Sequence, residues 1–192
     1  GSPSTRPTTC CSGSPATVTW QTRALVEAGL LVELPETVAG SGVGRPYTPL
    51  ALNAAENVVI SVHIAATQTT VAVVDLGGGL RASTKVPHRD DAPARVLADA
   101  AAAIERVRAG IGERVLGVGV AVGGRVDREA GTVIDHSFLG WRDVAVRAAL
   151  AAATGLPTAL DRHTRALMHA EHLFGRLRGT ASSVVLFVGN VV

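Results

Sequence analysis

Aromatic side chains are scarce in this chain: three Phe, two Trp and one Tyr make up 3% of 192 residues. A core must therefore be built from Val, Leu, Ile and Ala packed closely together. Lysine is scarcer still, since Lys85 is one of 18 basic residues and arginine supplies the other 17. With alanine and glycine abundant, that bias reads as GC-rich coding, not as a binding surface. A formal net charge of +2 gives only weak long-range attraction to nucleic acid, so any such role has to rest on a local motif. The two cysteines, Cys10 and Cys11, are adjacent and cannot join distant segments, which excludes a disulfide framework or a zinc knuckle. No run of 18 uncharged apolar residues occurs, and GSPSTRPTTCCSGSP lacks the basic-then-apolar order of a secretory signal. The expectation is a cytoplasmic protein that makes no membrane contact.

What is present is hydrophobic patterning, with 47% of residues apolar. Residues 1 to 13 have no apolar period and read as irregular. Ser14 followed by Pro15 is a helix start, because a serine hydroxyl caps free backbone N–H groups and proline tolerates the first helical position. Val18, Thr22, Leu25 and Val26 recur at helical spacing and Gly29 supplies a C-cap, so 14 to 28 is an amphipathic helix. Two strands follow, at 30 to 34 and 47 to 52, joined by a glycine-rich turn ending in Gly44, Arg45 and Pro46. A helix followed by a basic-tipped hairpin is the pattern of a winged helix, and an ordinary βα fragment with a flexible loop is the alternative.

From Val58 onward strands and helices alternate. Strands are expected at 58 to 64 and 70 to 76, closed around AATQ, then near 80 to 86, with an alanine-rich helix at 92 to 109. The apolar run VLGVGVAV at 115 to 122 suits a strand buried on both faces. A helix at 143 to 153, a strand at 157 to 161, a helix at 162 to 175 and an apolar strand at 183 to 188 complete an α/β arrangement with a mixed sheet.

The segments SPATVTW, GSGVGRPYTPLALN, VAVVDLGG, GVGVAVGGRVDREAGTVIDHSFLGWRDV and ALDRHTRALMHAEHLFG occur in one order over most of residues 14 to 190. In that combination the chain resembles the ROK proteins, a family of sugar kinases and sugar-responsive repressors with the actin-like ATPase fold. The resemblance implies three parts: an irregular segment at 1–13, a partial winged helix at 14–53, and the N-terminal lobe of a ROK domain at 54–192, with further sequence expected at both ends. The family's zinc-binding cysteine motif would fall after residue 192.

The kinase chemistry of the family does not carry over residue by residue. Its Asp-x-Gly-Gly-Thr turn, where glycines let backbone approach phosphate, is here His63, Ile64, Ala65, Ala66 and Thr67. Its Asn-Asp pair, whose aspartate takes the proton from the attacking sugar hydroxyl, falls on Arg162 and His163. No catalytic residue and no cofactor is therefore expected. His163, His169 and His172 lack a Cys or ordered carboxylate partner, so they read as a solvated face and no metal is expected. The candidate ligand-binding residues are Gly123, Gly124, Phe138, Asp161, Arg162 and His163, with Phe138 standing where the family supplies a sugar-binding asparagine. Trp141 reads as core.

On the DNA side, Ser14, Thr17, Thr19, Trp20 and Arg23 on the helix and Arg45 on the wing are the candidate contacts. Over residues 1 to 53, Arg6, Arg23 and Arg45 are balanced by Glu27, Glu33 and Glu36, and STRPTTCCSG has no apolar period to supply the two helices that normally precede a recognition helix. The reading that results is a ROK-type repressor that binds operator DNA, senses a sugar or related effector and forms a homodimer at full length. A divergent sugar kinase and a non-functional truncated remnant are the competing readings.

Overall fold

The computed structural model describes residues 14–34 and 49–187. The chain divides into two compact units, Gly1–Asn53 and Ala54–Val192.

In the first unit, α1 spans Pro15–Glu27. Ser14 caps it, its Oγ accepting the Thr17 N–H at 3.3 Å. The helix ends at Ala28, and Gly29 turns the chain with φ +70°, a conformation that a side chain would strain. Strand β1 (Leu31–Glu33) pairs antiparallel with β2 (Leu50–Leu52). Buried Asn53 locks this corner: its backbone N–H donates to Leu30 O and its Nδ2 to Gly29 O, at 2.9 and 3.1 Å. Residues 35–48, with the expected glycine-rich turn, lie outside the described residues.

The second unit is built on a five-stranded sheet in the order β10-β6-β3-β4-β5. Its strands are β3 (Asn57–Ile64), β4 (Gln68–Asp75), β5 (Leu80–Pro87), β6 (Arg114–Val122) and β10 (Thr158–Arg162). The first three form an antiparallel meander, while β6 and β10 run parallel to β3. On one face Ile60, Val62, Ile64, Val71, Val118, Val120, Val122 and Leu160 form a core with α2 (Pro93–Ala109) and α3 (Val146–Thr154). Helix α2 turns Val96, Leu97, Ala100, Ala103 and Ile104 inward, the small alanines letting it approach the sheet closely. Arg108 Nη1 donates to Thr154 O at 3.3 Å and ties the two helices together.

The opposite sheet face carries small and polar residues. Across the top row the register aligns Asp161, Ala121, His63 and Thr70; one row down it aligns Ala159, Gly119, Ser61 and Ala72. Helix α4 (His163–Leu173) starts directly after β10 and buries none of its residues completely.

Two expectations are corrected. The helix expected from 143 begins at Val146, because a small antiparallel sheet, β7 (Arg125–Asp127), β8 (Thr132–His136) and β9 (Trp141–Val144), occupies the preceding residues. The strand expected at 183 to 188 is absent over 183–187, where Val184 and Leu186 are 96% and 84% exposed. An apolar run favours burial but does not provide the neighbouring strand that its N–H and C=O groups require.

Candidate functional site

Parallel strands β3, β6 and β10 end together, and ligands of open α/β sheets bind beyond such strand ends. Three histidines meet there. His63 closes β3 on the polar face, His163 opens α4, and His136 ends β8. The His63 and His163 rings are 6.2 Å apart. His163 Nδ1 lies 3.3 Å from Val122 O; a carbonyl only accepts, so this nitrogen donates the hydrogen bond. His136 is buried and its Nδ1 accepts the Leu139 N–H at 3.3 Å, which leaves the proton of the neutral ring on Nε2.

Gly123 and Gly124 lie between these rings. A methyl group on Gly123 would stand 2.8 Å from His136 Nε2 and 3.6 Å from His163 Nδ1. On Gly124, at φ +78°, it would collide with the Asp135 carbonyl. Gly124 is thus needed for the β8 backbone to pass close beside the end of β6, while Gly123 makes room for the His136 ring.

Asp161 projects from the polar face and gathers arginines. Its Oδ2 lies 3.4 Å from Arg128 Nε and 3.2 Å from Arg165 Nε, and its Oδ1 accepts the Arg162 N–H at 2.8 Å. By strand alternation Arg162 falls on the other face of β10, so the structure separates these two expected neighbours. Phe138 is 60% exposed and its ring is 6.3 Å from His136, edge to face, so it is open to solvent beside the histidine cluster. Phe187 packs edge-on against His163 at 4.9 Å. Trp141 is buried, its Nε1 donating to Asp91 O at 2.6 Å.

Sequence reasoning missed that His63 shares a row of the sheet face with Asp161, and it missed His136, Arg128 and Arg165. Only strand register could have found His63: it and Asp161 are both aligned with Ala121. His172, expected on a solvated face, instead has its Nε2 2.7 Å from Ser183 Oγ. Among the described residues, no group of three His, Cys, Asp or Glu side chains is arranged to hold a metal ion.

Burial lowers the pKa of His63, and the charge of His163 adds to the effect. Burial also lowers that of His136, against a backbone hydrogen bond that raises it. Both rings therefore resist protonation more in the folded than in the unfolded chain. As pH falls below about 6.5 the unfolded state takes up these protons first, so folding stability is lost on acidification. Melting followed by circular dichroism should show the transition temperature dropping between neutral pH and the mildly acidic range. A His63→Gln, His136→Gln double variant should show a smaller drop; an identical pH profile would refute the assignment.

In α1, Thr19, Trp20 and Arg23 lie within about one turn of each other. Trp20 is 72% exposed, and Arg23 Nε pairs with Glu27 Oε1 at 2.8 Å, so part of its charge is already engaged. Ser14 and Thr17 hydroxyls lie 3.0 Å apart at the helix start. Arg45 lies outside the described residues.

The pattern that defines the ROK family matches residues 59–190. This chain belongs to the ROK family. Its ROK segment therefore contains the three-histidine corner described above. The chain is 37% identical over 175 residues to a transcriptional regulator of Mycobacterium tuberculosis, a match covering 90% of this chain and 40% of that protein. It is 28% identical over 130 residues to a glucokinase of Streptomyces coelicolor, covering 68% of this chain and 40% of that enzyme. Among solved structures, a ROK family transcriptional regulator homologous to the Escherichia coli MLC protein superposes with a TM-score of 0.69 at 28% identity, over 84% of this chain and 41% of that one. A Streptomyces griseus ROK glucokinase, solved with glucose and AMPPNP, superposes at 0.58 and 26% identity, over 64% of this chain and 38% of that one. The chain spans about 40% of the length of these curated relatives. Among the described residues, no helix is long and apolar enough to cross a membrane.

Proposed function

We propose that the chain acts as a ROK-type transcriptional regulator, a cytoplasmic repressor whose ROK domain senses a sugar or related small molecule without phosphorylating it. Residues 14–53 form the DNA-contacting part, a partial winged helix that binds operator DNA through Ser14, Thr17, Thr19, Trp20, Arg23 and Arg45. The ROK part, 54–192, holds the effector among Gly123, Gly124, Phe138, Asp161 and His163, with Arg162 at its edge. At full length the protein is a homodimer, matching two half-sites.

One observation carries the reading: Arg162 and His163 stand where the family's kinases have their Asn-Asp pair, and the adjacent carboxylate, Asp161, is held by Arg128 and Arg165 at 3.4 and 3.2 Å. The turn after β3 supports it. Ala65 and Ala66 fill the positions where glycines would let backbone approach a phosphate, and the Ala65 N–H is occupied by Gln68 O at 3.0 Å. Phosphoryl transfer depends on positioned base and phosphate donors together, and both sets are altered here. The higher identity to a protein named as a transcriptional regulator than to a glucokinase points the same way.

A panel of hexoses incubated with ATP should give no turnover above that of a His163→Ala control. Turnover exceeding that control would establish the sugar-kinase reading instead. Gel-shift titration on the DNA upstream of the coding segment, with this chain and an N-terminally extended version, should give a retarded band that a cognate sugar releases. No shift with either protein would sink the repressor reading.

A further inference from the structure

We infer that the groove between the outer edge strand β5 and helix α2 docks an extended, acidic peptide segment of a partner protein. The groove encloses about 290 Å³ and is lined by Val86, Pro87, Arg89, Arg95, Asp99, Ala102 and Arg106. It lies on the flank of the second unit, is formed by different residues from the histidine corner, and does not depend on the function proposed above.

The backbone supplies the first half of the argument. Strand β5 ends the sheet order, so its outer N–H and C=O groups have no strand partner among the described residues. Leu80 to Ser83, Lys85 and Pro87 are exposed. An edge of this kind accepts an added strand, and the neighbouring helix then forms the second wall of a peptide groove.

Charge supplies the second half. Arg95, Asp99, Ala102 and Arg106 form one stripe of α2, at i, i+4, i+7 and i+11, with Arg89 facing from the end of β5. Asp99 is engaged by Arg95 at 3.2 Å. Arg89 and Arg106 have no carboxylate partner among the described residues; the nearby Asp90 carboxylate accepts the Ala92 N–H and Glu105 is paired with Arg108. Eleven residues of helix span about 16 Å, the length of roughly five residues of extended chain, so acids on alternate positions of one peptide reach both ends of the stripe. Val86, Pro87 and Ala102 give an apolar floor for the peptide's aliphatic carbons.

The same features disfavour other occupants. A second copy pairing β5 against β5 would set Lys85 and Arg89 against their own equivalents, whereas an acidic peptide complements them. Single-stranded nucleic acid binds through aromatic stacking platforms, and no aromatic residue lines the groove.

Fluorescence anisotropy with the 192-residue chain tests the inference. The probe is a labelled peptide of about ten residues that alternates valine with glutamate, the pattern of a strand that pairs through backbone and reads charge on one face. It should bind, more weakly at high salt, while the lysine counterpart should not. An Arg95→Gln, Arg106→Gln double variant with a native circular dichroism spectrum should lose about tenfold or more in affinity. N-methylation of alternate peptide bonds in the probe should abolish binding to the unaltered chain, and this comparison decides the matter even if the variant fails to fold. Absence of binding, equal binding by the double variant, equal binding of the N-methylated probe, or preferential arginine-dependent binding of single-stranded DNA would each overturn the inference. So would a β5-mediated dimer of the chain detected by sedimentation and abolished by Lys85→Glu.

Discussion

Gly124→Ala should destabilise the ROK unit by about 2–4 kcal/mol, combining the cost of a left-handed backbone for a residue with a Cβ and a collision with backbone. Gly124 sits at φ +78°, and an added methyl would strike the Asp135 carbonyl and lie 3.0 Å from His136 Cα. Both obstacles are main chain of β8, paired on one side with β7 and on the other with β9, so neither can withdraw alone. Gly123→Ala provides the contrast. It has no positive φ, and its nearest neighbour is the His136 imidazole at 2.8 Å, a ring that can tilt. The lesser variant should keep the fold while displacing His136. Urea denaturation of both variants measures the difference, and equal midpoints would contradict this account of the corner.

The second large effect is expected at Trp141. Truncation to alanine should cost about 3–5 kcal/mol, the range for removing a large buried aromatic side chain. The indole is 1% exposed and packs into the core with Val96, Leu97, Val146 and Leu150. Trp141→Phe separates the contributions: it retains an aromatic ring but removes the hydrogen bond to Asp91 O, whose residue is exposed, a loss of about 0.5–1.5 kcal/mol. Trp141 is also the cross-strand partner of His136, with ring centroids 6.4 Å apart, so the alanine variant should loosen the histidine corner as well. A changed pH dependence of the melting temperature would report that second effect. An alanine variant within about 1 kcal/mol of the native chain would show that Trp141 is not a core anchor.

Much of the fold was legible because its long elements announce themselves by period. The alternation in Val58 to Ile64 and the 3.6-residue period from Val96 to Ile104 each point to one element type, while the short, valine-rich run before Gly123 is assigned to a strand by its length and β-branched content. The small sheet β7-β8-β9 was not legible. Its strands have three to five residues each and lie among Gly131, Gly140 and Asp143, whose φ of +50° is a local conformation no periodicity reveals. At the site, chain-local features were readable: the Gly123–Gly124 pair and the Arg162–His163 dipeptide stand within recognisable segments. The company they keep was not. His63 shares a sheet face with Asp161 only through the parallel pairing of three strands, and His136 meets Gly123 only because a short strand folds back beside β6. Side chains distant in sequence become neighbours through register, and register is a property of pairs of strands.

The near-exclusive use of arginine has a practical consequence for solution work. With Lys85 the lone lysine and exposed on β5, an amine-directed fluorophore or cross-linker has one side-chain target besides the α-amino group. The outer rim of the sheet can therefore carry a reporter without an engineered attachment site. Changes in its reactivity or emission would register whatever approaches that rim, while the 17 guanidinium groups stay silent.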